Sequence, residues 1–329
     1  MLKTEIAEIM NQDRAMFEWA TKVDKKLNMT AEDNEISGVV DAWAKQIGTK
    51  GQDPNGEISE YIVKVIQPEV YDVPDELLSS MFNRGTIGEF DEKQINVDPL
   101  NTLVAYDAAK GGNVNKSYID VKNLKPTWKH KQVETEIKYS DLRRDGFKSV
   151  ARLTSYIEEA LKNKMFFEIF SAIDAAIVGA SQTIAAGGTA PSVASMDELA
   201  LYLLDRGNAP FTVSLSKYAQ NIAKMSGYST FMSDSMKDEY NKYGLTKFYG
   251  GISIGSISGA KKTGDNQLLL PDKRIFGIAD KIGDLDMRGS LRVYETPDNN
   301  REVIGLKVTG FEFGYAITDI SKVAKITLT

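Results

Sequence analysis

The chain has 329 residues, of which 42% are apolar and 26% are charged, so it can bury one large core or two moderate ones. This composition excludes a disordered or collagen-like chain. The formal net charge of −6 argues against a dedicated nucleic-acid clamp, and the absence of cysteine excludes disulfides, thiolate metal sites and cysteine nucleophiles.

The amino-terminal residues are charged and amphipathic, without the apolar run that a signal peptide contains. No window approaches the roughly 18 consecutive apolar residues that a membrane-spanning helix needs. We therefore expect a protein that is made in the cytosol, stays soluble and does not enter a membrane.

Two helices are predicted in the first 60 residues. Apolar side chains recur at helical spacing over residues 2–27 and again over 31–47, and Thr30 offers an N-cap with an acidic first turn. Turn-forming residues follow at 51–56. These helices have no obvious core of their own, so we expect an arm that packs on another surface.

Strand and turn signals follow the arm. Residues 61–66 predict a strand. Residues 84–125 are polar and rich in turn signals, and strand-like pieces at 102–106 and 117–121 flank a Gly-Gly-Asn turn. We interpret 84–125 as a long two-stranded excursion. An isolated hairpin is marginal in water, so this one should lie on a neighbouring surface, such as that of another subunit.

A strand and a long helix are predicted next. Residues 131–139 alternate between apolar and polar side chains, as a half-buried antiparallel strand does. From about 141 to 180 the apolar positions step by three and four, which predicts one helix. Forty residues at 1.5 Å each give a rod of about 60 Å, which a single compact ball could not cover.

The rest of the chain mixes short helices and strands without a repeat. Helices are predicted at 195–207, 217–226 and 234–243, and strands at 211–216, 252–254, 268–270, 292–294, 303–308 and 324–328. The last strands are placed to pair with the strand before the long helix. The elements do not alternate as in a doubly wound sheet, so the fold class is α+β.

The residues that most resemble catalytic motifs do not fit their templates. His130 is the only histidine and lies among lysines, which disfavours a metal ion. Residues 255–263 resemble a phosphate loop, but three residues separate the glycines and Ala260 precedes Lys261. We interpret this segment as a surface turn between strands.

An acidic group at Asp280, Asp284 and Asp286 lacks the spacing of an EF-hand loop. We interpret it as a solvated loop, with a weak cation site as the alternative. No catalytic, cofactor or metal site is predicted, and we expect a protein that is not an enzyme.

Basic side chains cluster in the first turns of the predicted long helix, at Arg143, Arg144, Lys148 and Arg152. Two interpretations are open. One is a solvated helix face paired with acidic neighbours. The other is a contact with an acidic loop of a neighbouring subunit, for which the candidate residues are Glu89, Asp91 and Glu92.

Three parts of the chain carry a resemblance to a known family. Residues 137–142 and 146–151 look like the junction between a strand and a spine helix. Residues 269–280 and 293–298 look like a late axial-domain segment, and 308–316 look like the return to a peripheral domain. In this order they resemble the major capsid proteins of tailed phages with the Hong Kong 97 fold, over about residues 60–329.

The resemblance implies a Hong Kong 97-like α+β fold with six parts along the chain. These are an N-terminal helical arm (1–60), the start of the peripheral domain (61–83), an extended hairpin loop (84–125), the peripheral strand and spine helix (126–185), the axial domain (186–300) and the return strands (301–329). It also implies that the hairpin loop reaches over an adjacent subunit.

The function implied is that of a major head protein, which self-assembles into pentamers and hexamers of an icosahedral shell around double-stranded DNA. The implied partners are other copies of the chain, scaffolding, portal or cement proteins, and packaged DNA contacted on the inner face without sequence specificity. The implied location is the virion capsid, assembled in the cytoplasm of a bacterial host. Two alternatives stay open: an encapsulin-like compartment, and a nucleotide-binding enzyme that uses residues 255–263.

Overall fold

The computed structural model describes residues 28–67 except 52, 54 and 55, residues 76–97, 122–225 and 232–329, together with Trp19 and Lys22. Except for Trp19 and Lys22, the predicted helix at 2–27 lies outside the described residues. The predicted hairpin strands at 102–106 and 117–121 also lie outside them.

The described helices are α1 (Ala31–Lys50), α2 (Glu57–Gln67), α3 (Glu76–Met81), α4 (Tyr139–Asp145), α5 (Phe147–Ala176), α6 (Val193–Leu204), α7 (Ser216–Ala223) and α8 (Asp234–Tyr243). The described strands are β1 (Phe82–Ile87), β2 (Ile95–Val97), β3 (Lys122–Leu124), β4 (Thr127–Lys138), β5 (Thr183–Ala185), β6 (Phe211–Leu215), β7 (Phe248–Tyr249), β8 (Ile252–Ile257), β9 (Arg274–Ile278), β10 (Gly283–Arg288), β11 (Arg292–Asp298), β12 (Val303–Ile317) and β13 (Val323–Thr327). Short 3₁₀ turns occupy Ala180–Gln182 and Ile320–Lys322.

Helix α1 begins and ends on local signals. The Thr30 hydroxyl accepts a hydrogen bond from the Asp33 amide, and the Asp33 carboxylate accepts one from the Thr30 amide, which completes a capping box. Gly51, at φ 64°, ends the helix in the left-handed conformation. The predicted helix and its N-cap are therefore confirmed.

The predicted strand at 61–66 is wrong, because these residues form the second half of α2. The run of β-branched residues is typical of a strand, which explains the prediction. The buried side chains instead recur at i, i+3, i+4, i+7 and i+8, the spacing of one helix face. They are Ile58, Tyr61, Ile62, Val65 and Ile66.

The first sheet is built around β12. Its strands run in the order β1-β10-β12-β11, and β4 also pairs with β12. Strands β4 and β12 are antiparallel from Lys138 opposite Val303 to Thr127 opposite Tyr315, with an irregularity between Val308 and Phe311. The prediction that late strands return to pair with the strand before the long helix is confirmed.

The second sheet has the order β5-β13-β9-β6-β8-β7 and packs against α6 and α7. The predicted boundary at residue 300, between the axial domain and the return strands, does not separate the two sheets. Strands β10 and β11 precede it and lie in the first sheet with β12, whereas β13 follows it and lies in the second sheet. The predicted strand at 268–270 is wrong. Leu269 and Leu270 are buried in an irregular segment, and Leu268 forms only an isolated bridge with Lys262.

The predicted single helix over 141–180 is interrupted, because Gly146 separates α4 from α5. Gly146 has φ 57° and ψ −134°, a conformation in which side chains are strained. A Cβ atom there would also lie 1.9 Å from Oδ1 of Asp41. The longer helix, α5, has 30 residues and a length of about 45 Å. It packs on α1, α2, β4 and β12, so it joins the arm to the first sheet.

Candidate functional site

The acidic turn, residues 89–92, follows β1 and is held with its aromatic side chain outward. Glu89 forms an ion pair with Arg292 at 2.7 Å, and the Asp91 carbonyl accepts a hydrogen bond from the Arg288 guanidinium at 2.7 Å. Phe90 is 93% exposed, although phenylalanine usually lies inside a protein. The turn is thus anchored at both sides of an exposed aromatic ring.

An ion pair fixes the base of the long excursion. The Lys93 ammonium lies 2.8 Å from Oδ1 and 2.8 Å from Oδ2 of Asp286, and 3.8 Å from the Asp284 carboxylate. Two residues further on, β2 pairs antiparallel with β3. The predicted excursion at 84–125 therefore begins too early, because residues 84–87 belong to β1 of the first sheet, and the paired strands begin only at Ile95. The central part of the excursion, residues 98–121, is outside the described residues.

This ion pair corrects the prediction of a solvated acidic loop. Asp284 and Asp286 lie on strand β10, and Asp286 is only 1% exposed. Asp280 is separate from them and pairs with Lys322 at 3.7 Å. The alternation of acidic and apolar residues over 283–288 was a strand signal. No pattern in the sequence indicated the ion pair of Lys93, because only the pairing of β1 with β10 brings this residue to Asp286.

The predicted basic residues divide into two groups. Arg143 bridges within the chain: its guanidinium donates hydrogen bonds to the Gly48 carbonyl at 3.0 Å and to Glu302 at 3.1 Å. Arg144 pairs with Asp145 at 2.8 Å, and this hydrogen bond is the main reason that the pKa of Asp145 lies below its ordinary value. These two arginines are therefore engaged by their own chain.

Lys148 and Arg152 lie one helical turn apart on α5 and are exposed. Neither has a hydrogen-bond or ion-pair partner among the described residues. Both line a cavity of about 720 Å³ between α1 and the start of α5, together with Lys45, Arg144, Asp41 and Asp145. We call this the basic cavity; Met29, Gly38 and Phe147 form part of its wall.

Asp41 links the arm to the long helix beside this cavity. Its Oδ1 accepts a hydrogen bond from the Phe147 amide at 3.0 Å, so it caps α5, whose own N-cap residue is a glycine. Lys45 pairs with it at 2.7 Å. Burial acts to raise the pKa of Asp41, but the bonds from Lys45 and the Phe147 amide outweigh it, so the pKa lies below its ordinary value.

A second junction joins the arm to β11. The Ser59 amide donates a hydrogen bond to Oε1 of Glu295 at 2.7 Å, and the Ser59 hydroxyl contacts the same oxygen. Burial raises the pKa of Glu295, and the neighbouring Asp53 raises it further, against the opposing effect of the Ser59 bonds. Burial and the charges of Glu295, Asp298 and Asp53 also raise the pKa of Tyr139.

The other residues weighed as chemical candidates lie apart from these features. His130 is exposed on β4, opposite Glu312 on β12. Gly255 lies inside β8, and the next regular element is strand β9 with no helix between them. A phosphate loop needs a helix N-terminus at that point.

Among the residues that the structure describes, no group of three or more histidine, cysteine or acidic side chains is arranged to hold a metal ion. Within the same part of the chain, no helix combines the length and apolar character needed to cross a bilayer.

Solved structures with the same architecture are found by comparison. A chain from Gordonia phage Cozz matches with a TM-score of 0.52 at 12% identity, over 77% of this chain and 85% of that one. A chain from Microbacterium phage Oxtober96 matches with a TM-score of 0.55 at 11% identity, over 78% and 92%. The capsid of an empty GTA particle matches with a TM-score of 0.54 at 12% identity, over 79% and 92%.

No protein-family model matches the chain, and no curated protein matches it in sequence. The structural likeness shows the fold: the chain has the Hong Kong 97-like α+β fold, and the predicted fold class is confirmed.

Proposed function

We propose that this chain is the major capsid protein of a tailed bacteriophage, which self-assembles into pentamers and hexamers of an icosahedral shell around double-stranded DNA. The observation that carries the proposal is the fold, which this chain shares over 79% of its length with a chain from the capsid of an empty GTA particle. The proposed location is the virion, with assembly in the host cytoplasm. Scaffolding, portal and cement proteins are the proposed accessory partners.

The role proposed is mechanical and not enzymatic. Helix α5 lies against the first sheet; Asp41 of α1 is hydrogen-bonded to α5, and Ser59 of α2 is hydrogen-bonded to β11 of that sheet, so these parts are joined in the way that a shell tile requires. The Lys93–Asp286 pair holds the chain to β10 two residues before β2, which pairs with β3. Large, distributed interfaces between such tiles stabilise an assembly without a single strong site.

The test is electron microscopy of the protein expressed alone and together with the other structural proteins of its phage. Closed shells of uniform diameter, built of pentamers and hexamers, are expected in at least one of these conditions. A protein that stays monomeric in sedimentation under all of them would overturn the proposal.

The same expression experiment separates the encapsulin-like alternative. A compartment of that kind assembles in the host without any phage protein and encloses a cargo enzyme. Shells that form alone and carry a host or co-encoded enzyme inside would favour it. Empty shells, or shells that fill with DNA when packaging proteins are present, favour the phage capsid.

The nucleotide-binding alternative has no supporting geometry, because β8 runs into a turn and then into β9. Lys261 is exposed in that turn. Binding of ATP with micromolar affinity that is lost in Lys261→Ala would revive the alternative, and absence of binding would end it.

A further inference from the structure

The basic cavity has a surplus of positive charge. Two of its basic residues are compensated locally, since Lys45 pairs with Asp41 and Arg144 pairs with Asp145. Lys148 and Arg152 have no hydrogen bond or ion pair with the described residues, and the charges of Asp41 and Asp145 reach them only over longer distances. Both side chains are exposed at the cavity, whose lining carries four basic and two acidic residues. An occupant of this cavity therefore gains from carrying negative charge.

The same cavity has room for a bulky side chain. Its volume of about 720 Å³ falls within the range of roughly 300–1,000 Å³ in which ligand pockets lie. Phe147 and Met29 contribute apolar surface, and a Cβ atom added at Gly38 would meet nothing within 4 Å. The occupant that fits best combines an aromatic side chain with carboxylates.

The acidic turn has this chemistry. Phe90 stands almost fully exposed between Glu89 and Asp91. The carboxylate of Asp91 has no ion-pair partner among the residues that the structure describes, and Glu92 has only an exposed pair with Lys125. Exposed pairs of this kind contribute little, so Glu92 is easily redirected to a new partner.

The turn cannot reach the cavity of its own chain. It is held beside Arg292, which lies opposite Thr309 on β12, whereas α4 and α5 follow Lys138, which lies opposite Val303. These two points are six residues apart on β12, or about 20 Å at the usual rise of a strand. The Glu89–Arg292 and Lys93–Asp286 pairs keep the turn in place.

We propose that the acidic turn of one copy of the chain docks in the basic cavity of another copy, with Phe90 inside the cavity and Asp91 and Glu92 against Lys148 and Arg152. The inference rests on the proposed shell function and assigns one of its subunit contacts. Arg143, which is engaged within its own chain, takes no part in this contact.

The first experiment uses the absence of cysteine from the chain, because a disulfide can then form only between introduced residues. Shells of the Gly38→Cys/Phe90→Cys variant are oxidised and run on a non-reducing gel. We expect a ladder of covalent multimers. The matched control is Gly259→Cys/Phe90→Cys, since Gly259 is also open to a Cβ but lies outside the cavity; it should run as monomer.

The second experiment is a charge reversal with rescue. Lys148→Glu/Arg152→Glu should lower the yield of shells about tenfold at fixed protein concentration. Adding Asp91→Lys to this variant should restore most of the yield, whereas Asp91→Lys alone should lower it. Restoration by a second charge reversal is not expected of variants that merely misfold.

Several results would overturn the inference. Assembled shells without a ladder in Gly38→Cys/Phe90→Cys, or no rescue by Asp91→Lys, would exclude the contact while leaving the shell function intact. Normal shells of Lys148→Glu/Arg152→Glu that retain less DNA would instead assign the cavity to nucleic acid. If the wild-type chain forms no shell, the proposed function fails and the inference fails with it.

Discussion

Oδ1 of Asp41 accepts a hydrogen bond from the backbone amide of Phe147 at 3.0 Å, so a carboxylate of the arm caps a helix 106 residues further along the chain. The helix has no local cap, because the preceding residue is Gly146. The position of α1 and the first turn of α5 are therefore coupled, and the arm helix is part of the folded body.

Replacing Asp41 by alanine should lower the free energy of unfolding by about 1–2 kcal/mol, because the α5 amide and Lys45 both lose their partner. The measurement is urea unfolding of the unassembled protein. Asp234→Ala is the matched control, since Asp234 is fully exposed in the first turn of α8. Equal stability losses in the two variants would contradict the capping role.

Replacing Gly146 by alanine should destabilise the protein by about 1–3 kcal/mol from backbone strain, and further because the new Cβ displaces Asp41. Gly38→Ala should have the opposite sign, since Gly38 lies inside α1 with open space around it, and stabilise by up to about 1 kcal/mol. Thermal unfolding of both variants checks this pair. A neutral Gly146→Ala would show that the helix break tolerates a side chain.

Replacing Lys93 by methionine should destabilise the protein by about 3–5 kcal/mol, because it leaves the buried Asp286 carboxylate without its cation. Lys125→Met, which removes the exposed pair with Glu92, should change stability by less than about 1 kcal/mol. Hydrogen exchange at β2 and β3 should show faster opening only in the first variant. Similar behaviour of the two variants would argue against a tether at the base of the excursion.

Glu295 should make stability depend on pH in a defined direction. Its pKa in the folded state is raised, first by burial and then by Asp53, so ionisation on raising the pH favours the unfolded chain. This destabilisation is absent at pH values below the pKa of Glu295 in the unfolded chain, near 4.5, and it is complete at pH values above the pKa in the folded state. Glu295→Gln removes it, so the stability of this variant relative to wild type should increase as the pH rises from 4.5 to 7.5.

Unfolding of both proteins across this range measures the difference directly. Carboxyl groups with lowered pKa values, such as Asp41 and Glu168, titrate below the window and are common to both proteins, so they cancel. The exposed Glu198→Gln serves as control. A difference that does not change with pH would refute the role of Glu295.

Sequence patterns correctly predicted those secondary-structure elements that are determined by residues close together in the chain. The Thr30 cap and the alternation over 131–139 predicted α1 and β4, because capping and half-burial depend on neighbouring residues. Local signals failed at residues 61–66, where β-branched residues favoured a strand but packing of one face against β11 and α5 selects a helix.

The features that depend on distant residues had no local signal. Gly146 was hidden in a continuous helical pattern, since its break is completed by Asp41 from the arm. Lys93 and Asp286 are 193 residues apart and meet only through sheet pairing. The clustering of basic residues was visible in sequence, but their separation into Arg143 and Arg144, which are paired, and Lys148 and Arg152 required the structure.

Assembly of this chain into a shell is tested most directly by a cryo-electron microscopy reconstruction of particles formed by the wild-type chain, alone or with its phage partners. We expect a closed icosahedral shell of pentamers and hexamers, with α5 and the first sheet of every subunit forming the shell wall. A chain that remains monomeric under every assembly condition, or that forms only open and irregular aggregates, would contradict it.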